Sequence, residues 1–143
     1  MAIHKARYVK KGAGLTAVAG AQYWSQRVAV TKTVDKGSAG SPGRKASLVT
    51  YRDLVIRVYG SNVAALLALI GSAAEQLVVG YQDGAGANRK RTYKMIRFTT
   101  PVGTVDIKSK DAGGKTAVYC VEGHGCWLST DTLALMRVDA ADA

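Results

Sequence analysis

The sequence predicts a mainly β protein: an antiparallel β-sandwich or barrel with one flanking α-helix, at about residues 62–75, and a long loop at 35–46. Three observations lead there. Segments 27–34 and 48–60 are rich in β-branched residues and alternate along the chain. Only the stretch 61–76 carries a clear helical period. The links between the remaining apolar runs are hairpin-length and Gly-rich, which favours antiparallel neighbours.

Taken in order, residues 1–14 read as an extended arm with Ile3 and Tyr8 as apolar anchors. Residues 12–26, GAGLTAVAGAQYWSQ, carry no clear period. RVAVTKTV (27–34) sets Val28, Val30 and Lys32 against Ala29, Thr31 and Thr33, a strand pattern. DKGSAGSPGRKA (35–46) has no large apolar residue and reads as an exposed loop of the kind used for binding or assembly. LVTYRDLVIRVYG (48–60) is a strand, with Leu54, Ile56 and Val58 on one face and Val55 and Tyr59 on the other. In SNVAALLALIGSAAEQ (61–76), Ser61 or Asn62 is the candidate cap. Val63, Leu66, Leu67 and Ile70 form its apolar stripe, read as the face that packs the helix on the sheet.

LVVGY (77–81) is a short strand, and QDGAGANRKR (82–91) is a loop with the hairpin signal Asp83-Gly84. TYKMIRFT (92–99) and TPVGTVDIKS (100–109) read as two strands separated near Pro101. Gly113-Gly114 marks a turn, after which one or two final strands run to about residue 138. The expected organisation is a single domain over 1–143, with the arm at 1–14 and the β core at 27–139.

The 143 residues carry a net charge of +10, with 48% hydrophobic and 21% charged residues. That balance fits a globular chain and excludes a disordered, collagen-like or coiled-coil one. No apolar run approaches the ~18 residues of a membrane span. No apolar stretch follows the basic start, so a secretory signal is not expected. The charge is uneven. Lys5, Arg7, Lys10 and Lys11 crowd the arm, and Arg89, Lys90, Arg91, Lys94 and Arg97 crowd 82–97. Residues 98–143 hold four basic and six acidic residues. A basic chain points to a polyanionic partner or to acidic surfaces of neighbouring copies.

Cys120, His124 and Cys126 have a spacing reminiscent of metal ligands, since thiolate and imidazole suit zinc. On an extended strand, however, the two Cys stand about 20 Å apart, too far for one metal or a disulfide. Gly123 and Gly125 leave room for a bulge that would shorten that distance. The expectation is free thiols and no metal. Gly84-Ala85-Gly86 lacks the lysine and helix of a phosphate loop. His4, His124, Asp106, Asp111 and Glu122 form no nucleophile–base–acid pattern. The chain is therefore expected to be no enzyme and to need no cofactor. An oligonucleotide-binding barrel would want aromatics beside cations on one strand face, but Tyr93 and Phe98 have opposite parity.

The stretch 53–107, DLVIRVYGSNVAALLALIGSAAEQLVVGYQDGAGANRKRTYKMIRFTTPVGTVDI, resembles bacteriophage tail tube proteins. Those share a strand ending in Gly, a short helix of the form "aaL.aLiG", a strand "LvVgY", a hairpin, and then "kmirFt…G.v.I". The resemblance implies a β-sandwich or barrel subunit with a flanking helix. It also implies rings, typically of six copies, that stack into a tube through which DNA passes. On that pattern the loop with Asp35, Lys36, Arg44 and Lys45 reaches an adjacent ring, and the arm with Ile3, Lys5, Arg7, Tyr8 and Lys10 does likewise. The chain departs from the family in its charge, because tube lumens are often anionic.

The leading expectation is thus a structural virion protein of the tail, assembled in the host cytoplasm. Its partners would be copies of itself, other virion proteins and, transiently, DNA, with no membrane. Capsid decoration and tail terminator are neighbouring roles. The alternative is a small basic nucleic-acid-binding β-barrel in which Arg89, Lys90, Arg91 and Lys94 neutralise phosphates.

Overall fold

The structure, a computed structural model, describes residues 3–35, 47–71, 74–109, 114–128 and 137–142. Among them are nine strands and one helix. The strands are β1 (Ile3–Lys5), β2 (Tyr8–Lys11), β3 (Thr16–Ala17), β4 (Ala21–Asp35), β5 (Ser47–Gly60), β6 (Glu75–Gln82), β7 (Asn88–Ser109), β8 (Gly114–Leu128) and β9 (Arg137–Ala141). Helix α1 (Val63–Leu67) lies between β5 and β6. The expected mainly β class with one helix is what the chain adopts.

The strands join in the order β1-β4-β5-β8-β7-β6-β2-β3, with β9 on the other side of β7. Every strand ladder is antiparallel. The sheet does not close, but its two flanks come together along the chain. Only Ala6 and Arg7 separate β1, which pairs with β4, from β2, which pairs with β6. The Ala6 N–H donates to Gln22 O at 2.8 Å and the Arg7 N–H to Gly80 O at 2.6 Å. The first strands thus step from one layer to the other. On the opposite flank β7 does the same, pairing with β6 and β9 through its first half and with β8 through its second.

Two register shifts, between Phe98 and Thr100 and between Pro101 and Gly103, bend β7 as it changes layers. Bulges of this kind turn a strand from one sheet into the next. The expected break at Pro101 is therefore a bend inside one 22-residue strand.

Both layers contribute to one core. Leu54, Ile56, Val58 and Val121 from one side meet Val9, Leu77, Val79 and Tyr93 from the other, with Trp24, Ile96 and Phe98 among them. Each fully buried aliphatic side chain of this kind contributes roughly 1.5–3 kcal/mol. Gly123 is part of that packing and makes no turn: a Cβ there would meet Ile96 Cγ2 and Phe98 Cδ1, each at 2.9 Å. The β5–β8 register runs without a shift through Gly123 and Gly125, so the bulge that would draw Cys120 toward Cys126 is absent from that ladder. A smaller cluster of Tyr59, Ile107, Val118 and Cys120 lies elsewhere in the sheet.

The helix is much shorter than the expected 62–75. Asn62 caps it by accepting from the Ala65 N–H at 3.1 Å. It ends because Leu69 and Ile70 donate to Leu66 and Leu67, three residues back, and Ile70 then bridges to Phe98. The tighter turn also changes the buried face. Leu66 and Leu69 are buried and Ile70 packs against the core, whereas Val63 and Leu67 are 44% and 42% exposed. Half of the predicted stripe is thus surface.

Candidate assembly surfaces

Two two-stranded ribbons leave the sandwich. β4 and β5 pair continuously as far as Asp35↔Ser47, whereas among the described residues, which on β8 end at Leu128, β5 pairs with β8 from Tyr51 onward. Thr31 to Asp35 therefore extend about 13 Å past the last described β5–β8 pair. Asp35 is the last residue of β4; Lys36, Arg44 and Lys45 lie outside the described residues. At the other end β5 stops at Gly60↔Tyr119, while β7 and β8 continue as a pair from Val105↔Val118 to Ser109↔Gly114. The ribbons thus project from opposite ends of the same layer.

The residues expected to form an extended arm are built into the sheet. Ile3 and Lys5 lie on β1, and Tyr8 and Lys10 on β2, so these extended residues have strand partners in their own chain. The sequence hides this because three- and four-residue strands leave no period to read. The Tyr8 ring lies over Gly80, where a Cβ would stand 2.3 Å from Tyr8 Cε1. The Tyr8 hydroxyl and Arg7 Nη1 both donate to Asp142 Oδ2 at 2.8 Å. Lys10 Nζ stands 4.7 Å from the centre of the same ring. Burial raises the Tyr8 pKa and the bond to Asp142 adds to it, so the phenol stays a donor.

The basic run expected as a loop lies on β7, and strand alternation splits it. The turn before it is built by Asp83, whose Oδ1 accepts from Ala85 and Ala87, and by Gly86 at φ +84°. Arg91 turns inward. It grips Asp139 through Nε at 2.6 Å and Nη2 at 3.3 Å, and lies 5.2 Å from the Trp24 ring and 5.4 Å from that of Tyr81. Burial opposes its charge, but the hydrogen bonds to Asp139 and Tyr93 and the charge of Asp139 outweigh it and hold its pKa above the usual value. Lys90 lies on the opposite face beside Tyr8, Lys10 and Thr92. Lys90 and Lys94 are exposed and Arg89 is half-buried.

Gln26 is a centre that sequence reasoning missed. Its Oε1 accepts from Tyr93 Oη at 2.6 Å, Arg137 Nη1 at 3.0 Å and Arg91 Nη1 at 3.2 Å. These donors lie far apart in sequence, and Gln26 falls in the stretch without a period. Burial drives the Tyr93 pKa far up, so this phenol too remains a donor.

His124 lies in a row of charges across β5 and β8. Its Nδ1 is 2.9 Å from Asp53 Oδ2 and its Nε2 is 3.6 Å from Glu122 Oε1; Glu122 in turn meets Arg57 at 3.6 Å. Both ring nitrogens face carboxylates. Asp106 pairs across to Ala117 on the β7–β8 ribbon, His4 stacks on Trp24 with ring centres 5.0 Å apart, and Asp111 lies outside the described residues. Cys120 is a buried free thiol pushed up to about 11 by burial. The described residues contain no group of three or more His, Cys, Asp or Glu able to hold a metal.

Among the described residues no helix is long and apolar enough to cross a membrane. No family model matches the chain, and no curated protein matches it.

Proposed function

We propose that this chain is a structural virion protein, a phage tail tube subunit, whose copies form rings that stack head to tail into a conduit for DNA. The observation that carries the reading is the pair of ribbons that, among the described residues, leave opposite ends of one layer. A subunit with an extension at each end can engage one neighbour above and another below. Such heterologous contacts build rings when the rotation closes and continuous stacks when it does not. The resemblance over 53–107 supports the same reading, and so do the exposed Val63 and Leu67 on α1.

The basic nucleic-acid-binding reading asks Arg89, Lys90, Arg91 and Lys94 to act as one patch. Arg91 is committed to Asp139 and Gln26, and Lys90 lies on the other face. Sedimentation velocity over a range of concentrations tests the proposal. Discrete species of several subunits, growing to long polymers, are expected. A monomer at every concentration, with or without DNA, would contradict it.

A further inference from the structure

We propose that Arg7, Tyr8, Lys10 and Lys90 form a phosphate-binding site on the outer face of β2, β6 and β7, in which Asp142 is the resident placeholder. The inference does not depend on the tube reading.

Three observations carry it. The first is a cavity of about 290 Å³ on that face, with Tyr8, Lys10, Lys90, Thr92 and Asp142 in its wall. The second is convergence of donors. Tyr8 Oη and Arg7 Nη1 aim at the same oxygen, Asp142 Oδ2, each at 2.8 Å. The Tyr8 ring is packed against Gly80, where a Cβ would clash with it, and Lys10 covers the ring from 4.7 Å. The third is charge balance. Arg7 pairs with Asp142, and Lys10 and Lys90 line the same cavity, so among the described residues the site keeps an excess of positive charge when Asp142 fills it. A phosphate dianion brings the missing charge and offers more acceptor oxygens than a carboxylate. The bound Asp142 shows the site at work on an oxyanion: its pKa is lowered, first by the Tyr8 hydrogen bond, then by Arg7 and by the charge of Lys90.

The shared chemistry is a phosphate group, either free or carried by a nucleic acid. Asp142 is tethered and competes as an intramolecular ligand, so removing its charge strengthens binding of an external one.

The test is calorimetric titration of the full chain with sodium phosphate at neutral pH, with sodium chloride holding ionic strength constant. The expected result is one weak site in the unmodified protein and about tenfold tighter binding in Asp142→Asn. Adding Lys90→Gln to that variant is expected to weaken binding again by about tenfold. Lys90 is exposed, so circular dichroism should show an unchanged fold. No tighter binding in Asp142→Asn, or binding indifferent to Lys90→Gln, would overturn the proposal. Short duplex oligonucleotides with and without a 5′-phosphate then identify the source. Displacement of inorganic phosphate by both points to the backbone, by the phosphorylated one alone to a terminal phosphate, and by neither to the free ion.

Discussion

From Tyr51 to Gly60, β5 has β4 on one side and β8 on the other; from Ser47 to Thr50, among the described residues, it has β4 alone. The same two strands therefore live in two environments. The inner stretch carries Leu54, Ile56 and Val58, all fully buried between the layers. The outer stretch is a ribbon, and a two-stranded hairpin by itself is marginal in water. The inner stretch owes its stability to the core, and under the proposed function the outer one gains its stability from neighbouring copies. The proposed function thus makes folding and assembly separable along one pair of strands.

The sharpest way to break that comparison is to truncate the inner stretch. Ile56→Ala is expected to cost about 3–4 kcal/mol in urea unfolding, the usual toll for an aliphatic side chain that the core cannot collapse around. Shortening 36–46 to an Asn-Gly turn is expected to cost no stability and to raise it by at most about 1.5 kcal/mol, because a shorter loop loses less entropy on closure. Equal losses from both would show that the ribbon belongs to the folding unit.

The two faces of α1 repeat the contrast on a smaller scale. Leu66→Ala should cost about 3 kcal/mol and Leu67→Ala less than about 0.5 kcal/mol in the same assay. A comparable cost at Leu67 would return the helix to its sequence-predicted stripe. Below these stands Gln26→Leu, which leaves Tyr93, Arg91 and Arg137 without their shared acceptor; about 2 kcal/mol is expected. The smallest effect is confined to alkaline pH. The Cys120 thiol is raised from 9.0 to about 11 in the folded chain, so the fold favours its protonated form. Its contribution is complete below pH about 9 and is lost as pH rises through about 11. Cys120→Ala should flatten that part of the stability–pH curve.

These contrasts also explain what could be read from the residues alone. The alternation of Leu54, Ile56 and Val58 announces a strand with one face in the core, and the structure buries all three. The hairpin at Asp83-Gly84 is equally local, since Asp83 makes its own turn. The short helix was not legible, because its end is set by a bridge from Ile70 to Phe98, a contact across 28 positions. Nor was the fate of the arm, since β1 and β2 gain their partners from β4 and β6 and not from any period of their own. The basic run looked like one patch because composition does not record parity. On β7, successive residues face opposite ways, so Arg91 joins Trp24 and Gln26 while Lys90 joins Tyr8.

The central claim is that the distal ribbon serves assembly and the sandwich serves folding. Negative-stain electron microscopy of the unmodified chain beside the variant with 36–46 shortened to Asn-Gly tests it most directly. Rings or tubes of uniform diameter are expected from the first, and only single folded subunits or isolated rings from the second. Tubes of the same length and diameter from both, or no ordered assembly from the unmodified chain, would contradict the account.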